Sequence, residues 1–256
     1  MADEQIPDGR RPQQINLDQV FKNFMLNLQR QYDMLAFNLS AHETVQEEAY
    51  NQRVNAFKII PAVQHRQNFE QLQAYARDLL VRQIVNDSLN MTLTAMNNAH
   101  FFLALIKATD ANNKILLEAQ KSAQSAQEYF VRAKLDEKFN RLEKDYGIMC
   151  ELEDTITSLS FILQILVKQN KVVKKEQLDD RGKLLLELKS AESTEGEQPV
   201  TSQLDKLVYT SKIYHENESV SFEDNELQSI LITIASFVDS LFKSVMKYAR
   251  SAQKNK

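Results

Sequence analysis

Glycine and proline are scarce in this chain, and their scarcity limits its architecture. Between residues 13 and 195 only Pro61, Gly147 and Gly182 occur. Tight turns and phosphate-binding loops depend on these two residue types, because they adopt backbone conformations that other residues resist. A chain that lacks them over such a length is expected to consist of long helices with few corners. It also lacks the glycine-containing turns that carry most signatures of catalysis.

Cysteine is nearly absent as well, and the charges are close to balance. The single Cys150 cannot form an intrachain disulfide. Residues 1–11 are polar and contain no apolar run of the kind found in a secretory signal. The net charge of −4 is mild, which argues against a surface committed to nucleic acid. Together these features predict a cytoplasmic protein.

The residue patterns of common catalytic sites are also missing. A diiron site in a helical protein needs Glu three residues before a His, and none of the four histidines has one. These are His42, His65, His100 and His215. Cys150 stands beside Glu151 and Glu153, which would raise the pKa of its thiol and so disfavour a nucleophile. We therefore expect no enzyme, no cofactor and no metal site, and no small-molecule substrate is evident.

The first helix has a clear start and one apolar seam. Asn16 is placed as its N-cap, with Gln19 three residues later able to reach back to the cap. Apolar residues then recur in steps of three and four, which is typical of an amphipathic helix. The seam positions that we select for interaction are Leu17, Phe21, Phe24 and Leu28. Because Pro61 removes a backbone donor, the helix is predicted to end or kink near residue 60.

The middle of the chain predicts further helices. Residues 62–146 contain neither Gly nor Pro, and the likeliest break is at Thr109 and Asp110, whose side chains compete with the helix backbone. Gly147 is a candidate C-cap. A third helical region covers residues 152–167.

A smaller helix is predicted near residues 175–189. Residues 190–203 have the composition of an acidic flexible linker. The stretch 208–222 is rich in aromatic and β-branched residues, and its pattern leaves a hairpin and a loop open as alternatives.

The last helix has the clearest pattern. Ser221 with Asp224 predicts its cap. One face then carries a second set of seam positions, which are Ile230, Ile234, Val238 and Leu241. Lys243, Lys247 and Arg250 cluster toward its C-terminal end, where cations suit the helix dipole.

Three uncharged helical stretches, at 88–106, 155–167 and 227–238, are expected to be buried together. The predicted fold class is therefore all-α, with long antiparallel helices in a helical bundle that carries a coiled-coil-like extension. The predicted organisation has four parts: a disordered arm at 1–14, a long-helix domain at 15–189, an acidic flexible linker at 190–222 with a short hairpin as one alternative, and an amphipathic helix at 223–252 packed on the bundle.

Three functions remain as hypotheses. The leading one is a non-enzymatic interaction or scaffold protein that forms a homo-oligomer through the two seams and binds a protein partner that the sequence does not identify. The alternative is a membrane-active protein that opens to expose 88–106 or 227–246 to lipid, with the last helix touching the membrane surface. The third is a metal–carboxylate enzyme in a helical core. Nucleic-acid binding by the lysines around residues 168–183 is disfavoured, because acidic residues dilute them.

Overall fold

The protein is mostly helical, and its only sheet among the described residues is one antiparallel pair of strands. The computed structural model describes residues 16–54, 68–109, 117–191 and 207–254. The elements in chain order are α1 (Leu17–Thr44), α2 (Glu47–Val54), α3 (Phe69–Ala108), α4 (Leu117–Arg132), α5 (Leu135–Tyr146), α6 (Glu153–Lys168), a 3₁₀ turn (Lys175–Gln177), β1 (Leu184–Ala191), β2 (Leu207–Tyr214) and α7 (Asp224–Lys254). The predicted all-α class is therefore largely confirmed, with a β-hairpin added. The predicted arm at 1–14 and residues 192–206 of the predicted linker lie outside the described residues.

The start of the first helix is confirmed, but its predicted extent is wrong. The Oδ1 atom of Asn16 accepts a hydrogen bond from the Gln19 backbone at 3.1 Å. The helix ends at Thr44 rather than near residue 60, and Val45 is extended before α2 begins. The sequence is polar through this region, so no buried face holds the chain in one helix. Pro61 lies outside the described residues.

Helix α3 is the central element of the fold. Asn68 and Gln71 form a reciprocal capping box at its start, and Thr109 closes its end, which confirms the predicted break at Thr109. The uncharged stretch 88–106 lies inside this helix and supplies much of the core. Helix α3 packs against α1, α4, α6 and α7, so its apolar residues are covered on several sides.

Two further corners follow α3. Gly147 caps α5 in the left-handed conformation with φ of 66°, and its predicted role as a C-cap is confirmed. The corner between α4 and α5, at Ala133 and Lys134, was not predicted. It depends on a side chain that reaches back from α5, described below with the buried cluster.

The helix predicted at 175–189 is wrong. Strand β1 occupies Leu184–Ala191, and its buried side chains alternate with exposed ones. Leu184, Leu186 and Leu188 face the core while Leu185 lies outside, which is the two-residue period of a strand. Leucine, glutamate and lysine all favour helices locally, so burial against α6 and α7 overrides propensity here. For the stretch 208–222, where a hairpin and a loop were left open, the structure shows one strand, β2, that pairs with the distant β1, followed by a loop to α7.

Helix α7 begins later than its predicted cap. It starts at Asp224, and the Glu226 carboxylate accepts from the Glu223 backbone N–H at 2.8 Å. The Ser221 carbonyl oxygen instead accepts hydrogen bonds from Lys212 and Tyr214 of β2. Arg77 of α3 pairs with the Asp224 carboxylate and donates to the Phe222 carbonyl at 3.1 Å. These contacts fix the start of α7 against the middle of the fold.

Candidate interaction surface

All eight seam residues selected from the sequence pack inside a single chain. Phe21 is half-buried, and its ring lies 5.5 Å from that of Phe242. The other seven are buried: Leu17, Phe24, Leu28, Ile230, Ile234, Val238 and Leu241. Helix α1 packs on α3 and α7, so the two seams contribute to one core. Because that core already covers them, a partner would have to meet the chain on a different surface.

The hairpin offers such a surface. Strands β1 and β2 pair over eight residues each, from Leu184 opposite Tyr214 to Ala191 opposite Leu207, and the register contains no bulge. Strand β1 lies on α6 and α7. Strand β2 lies outside it and is exposed over most of its length. The two strands therefore have different surroundings on their outer edges.

The outer edge of β1 is covered by helix α7. The Lys189 backbone N–H donates to the hydroxyl oxygen of Thr233 at 2.8 Å. Thr233 is fully buried and donates its own proton to the Ser229 carbonyl at 2.7 Å. Its hydroxyl therefore serves as both acceptor and donor, and it satisfies a backbone group that no strand reaches.

The outer edge of β2 is open among the described residues. In an antiparallel pair, residues alternate between those bonded to the partner strand and those whose N–H and C=O point away. Because Lys189 directs its N–H to α7, its register partner Tyr209 also directs its backbone groups away from the pair. The same alternation assigns Ser211 and Ile213 to the outer edge. Within the described part of the chain, no other backbone group pairs with them.

Apolar side chains accompany this open edge. Val208, Tyr209 and Ile213 are 39%, 57% and 45% exposed, and Leu185 of β1 lies opposite Ile213 at 41% exposed. Leu185, Tyr209 and Ile213 share one face and form the outer apolar face of the hairpin, while Val208 lies on the opposite face. The ammonium group of Lys189 lies over the Tyr209 ring at 5.3 Å. An exposed apolar group next to unpaired backbone is a typical site for another strand.

The one charged side chain of β2 is already neutralised. Lys212 points to the inner side, where its Nζ lies 2.6 Å from the Glu226 carboxylate and 2.9 Å from the Ser221 carbonyl. The neighbouring Tyr214 donates its hydroxyl proton to the same carbonyl at 3.0 Å. Burial, with a smaller contribution from Glu226, raises the pKa of Tyr214. These contacts anchor the end of β2 and leave no free charge along the strand.

A second surface lies between the start of α1 and the end of α7. This groove encloses about 560 Å³, and Leu17, Phe21, Phe242 and Met246 supply its apolar side chains. The predicted basic cluster lies along its rim: Lys243, Lys247 and Arg250. Asp239 pairs with Lys243 at 2.8 Å, and Asp18 also lines the groove. The acids offset much of the positive charge.

The lysines around 168–183 do not form a continuous basic patch. Lys171 pairs with Asp78 of α3. The Asp179 carboxylate accepts from the backbone of Lys183 and so closes the turn before β1. A shallow groove of about 400 Å³ beside this turn is lined by four acids: Asp154, Glu176, Asp179 and Glu187. This lining does not favour a phosphate backbone.

A buried polar cluster joins α3, α4 and α5, and sequence reasoning missed its lysine. Lys138 is 3% exposed, and its ammonium donates to the Asn97 side chain at 3.0 Å and to the carbonyls of Phe130 and Val131. All three N–H donors are thus used, and two of them close the end of α4. Burial lowers the pKa of Lys138. A side chain so fully engaged in capping a helix is a structural element, not a nucleophile.

His100 belongs to the same cluster. Its ring stacks on Phe130 at 3.9 Å, and its Nδ1 lies 2.7 Å from the Gln127 amide oxygen. Burial lowers the pKa of His100, while the Gln127 contact opposes that effect. Tyr146 meets the ring edge-on, and burial raises its pKa to about 12.

Three candidate features remain: the Cys150 thiol, possible metal ligands and a long apolar helix. Burial, together with Glu153 and Glu143, raises the pKa of the Cys150 thiol to about 12, in the direction that the sequence indicated. Among the described residues, no group of three or more His, Cys, Asp and Glu side chains could hold a metal ion. Within the same residues, one helix segment, Asp224–Ala252, is long and apolar enough to cross a membrane, and 67% of its most apolar window is buried in the fold.

The chain was compared with family models, with curated proteins and with solved structures, and nothing in any of the three matches it.

Proposed function

We propose that this chain is a non-enzymatic interaction protein, in which a helical core presents the open edge of β2 to another protein chain. The proposal includes a homo-oligomeric state and a cytoplasmic location. It also includes the predicted arrangement of long antiparallel helices with a coiled-coil-like extension. The observation that carries it is the unprotected edge of β2. Its binding mode would be the addition of a strand, in which main-chain hydrogen bonds give affinity and alternate side chains give specificity.

The support comes from what natural edge strands do to avoid unwanted pairing. They are commonly very short, bulged, interrupted by proline or protected by outward charges. Strand β2 spans eight residues, Leu207–Tyr214, with a regular register and no proline. Its one lysine, Lys212, is held inward by Glu226. Because β2 lacks each of these protections, an edge that accepts a partner is the simpler explanation.

The proposal that the chain is not an enzyme is supported by the surroundings of three groups: Lys138, His100 and Cys150. Lys138 uses its donors to close α4, and His100 is stacked and hydrogen-bonded away from both grooves. The Cys150 thiol stays protonated at neutral pH, because its pKa is raised to about 12, and a protonated thiol is a poor nucleophile.

Site-specific photo-crosslinking in cells tests the proposal, and the chain offers a matched control. A photoreactive phenylalanine analogue would replace Tyr209 at the open edge or Tyr129 on α4. The two tyrosines are 57% and 58% exposed, so random collisions should label them alike. We expect protein adducts from position 209 in clear excess. Equal yields at the two positions, or no protein adduct at 209, would contradict the proposal.

A membrane-active protein is the second candidate function, and helix α7 favours it. Its apolar length would span a bilayer, and Lys247 and Arg250 near its end could meet anionic headgroups. Opening would have to expose a face that the core now buries. Co-sedimentation with neutral and anionic vesicles tests this function, with the Lys247→Glu/Arg250→Glu variant as control. Failure to bind either vesicle would remove it.

A further inference from the structure

We infer that the chain paired with β2 is the β2 strand of a second copy, antiparallel to the first and related by a two-fold axis at Ser211. This inference rests on the proposed function and names the partner and the register. It assigns the interface to the hairpin instead of to the helix seams, which are already buried in one chain.

The backbone pattern of β2 is suited to such an axis. The outward N–H and C=O groups belong to Tyr209, Ser211 and Ile213, as derived above. An axis at Ser211 brings the two copies of Ser211 opposite each other as a hydrogen-bonded pair. It also places Tyr209 of each copy opposite Ile213 of the other copy. Each of these residues exchanges both of its bonds, so the outward backbone groups are satisfied together.

The side chains are complementary in the same register. Directly opposite aromatic and β-branched residues stabilise a sheet by roughly 0.2–1 kcal/mol per pair, and Tyr209 with Ile213 is such a pair. The outer row then reads Leu185, Ile213, Tyr209 of the second copy and Lys189 of the second copy. The outer apolar face of one hairpin continues into that of the other. Exposed apolar surface is thereby reduced on both copies.

Charge does not oppose the pairing. A two-fold axis brings like charges near each other, so an outward lysine on β2 would repel its own copy. Lys212 is turned inward and neutralised by Glu226 at 2.6 Å. Glu187 shares a row with Ser211, so the two copies of Glu187 would be separated by three strand spacings, roughly 14 Å. At physiological salt that distance exceeds the Debye length of about 8 Å.

Cysteine crosslinking of the purified full chain tests the register. In a Cys150→Ala background, Ser211→Cys would bring two cysteines to a Cα separation of about 5.5 Å, within disulfide reach. Tyr209→Cys and Ile213→Cys are matched controls on the same strand, because each would lie about 14 Å from its own copy. We expect Ser211→Cys to link at least about tenfold faster than either control, since a disulfide cannot bridge Cα atoms beyond about 7 Å. Equal rates at the three positions would overturn the register.

A proline variant tests the interface without relying on a crosslink. Ser211→Pro removes an N–H that has no partner among the described residues, so the helical circular dichroism should be retained while the mass by light scattering falls from dimer to monomer. Thr210→Pro removes an N–H that pairs with β1 and should disturb the hairpin itself. A dimer that survives Ser211→Pro would contradict the inference.

Failure of this inference is distinguishable from failure of the proposed function. Wild-type protein that stays monomeric over a wide concentration range, with no selective link at 211, removes the second copy as partner. If position 209 still captures another protein in cells, the proposed function stands with a different strand as partner. A monomer whose Ser211 amide resists hydrogen exchange would mean that the edge of β2 is already covered within the chain and would overturn both.

Discussion

Strands β1 and β2 belong to one hairpin, and they differ in almost every contact outside it. Strand β1 buries Leu184, Leu186 and Leu188 against α6 and α7, and the Thr233 hydroxyl covers its outer edge. Strand β2 keeps Tyr209 and Ile213 exposed, and the described part of the chain leaves its edge unpaired. The difference shows that the helices stabilise one strand, while the other is held by that strand and by anchors at its end. One strand is thus structural, and the other is the strand that we propose for binding.

The sharpest test of this contrast compares two adjacent leucines of β1. Leu186→Ala leaves a cavity in the core and should cost about 2–5 kcal/mol of unfolding free energy. Leu185→Ala, on the opposite face at 41% exposed, should change it by about 0.5 kcal/mol or less. Urea unfolding at low protein concentration, followed by circular dichroism, measures both. Similar losses for the two variants would mean that β1 does not have one buried face.

The second test concerns the covered edge. Thr233→Val keeps the shape of the side chain but leaves the Lys189 N–H buried without an acceptor, which should cost about 1–3 kcal/mol. Thr210→Val on β2 is the matched variant, because its hydroxyl is 3.4 Å from the Leu188 carbonyl on an exposed strand. We expect a change of about 0.5 kcal/mol or less there. The same unfolding assay applies, and a stable Thr233→Val protein would refute the edge contact.

The third test concerns His100, a buried group that can take up a proton. Burial lowers the pKa of His100 from its ordinary value of 6.5, so the unfolded chain binds a proton more readily than the folded one. Stability should therefore be full above pH 6.5 and should fall as the pH drops from there toward the lowered folded pKa. Unfolding midpoints across that window measure the slope. His100→Phe, which keeps the stacking on Phe130, should have a flatter slope, and an unchanged slope would exclude His100 as its source.

The smallest effect is a difference in thiol reactivity. Cys150 has a pKa raised to about 12, and thiol reagents attack the thiolate. In the folded protein near pH 8, Cys150 should react slowly, while a cysteine introduced at the exposed Ser125 of α4 should react quickly. A chromogenic disulfide reagent measures both rates, with urea-unfolded protein as the reference. Fast reaction of Cys150 in the folded chain would show that the thiol is not protected by burial.

The sequence identified three helix ends, at Asn16, Thr109 and Gly147, and missed the sites that depend on distant residues. Asn16, Thr109 and Gly147 were assigned correctly, because a cap acts on groups within one helical turn. Lys138 carried no signal, since a lysine near the start of a helix is usually solvated. Only folding brings it to the carbonyls of Phe130 and Val131.

The hairpin shows why the sequence did not predict the remaining features of the fold. Residues 175–189 contain good helix formers, so local preference predicted a helix, while pairing with β2 and burial on α6 and α7 favour a strand by contacts far along the chain. The open edge is likewise invisible in sequence, because it depends on which strand α7 covers. The sequence by itself therefore determined the mostly helical class and the helix ends at Asn16, Thr109 and Gly147, whose capping free energies are local. The tertiary structure decided which apolar residues are buried and which strand the described residues leave open, since those free energies depend on the partners that folding supplies.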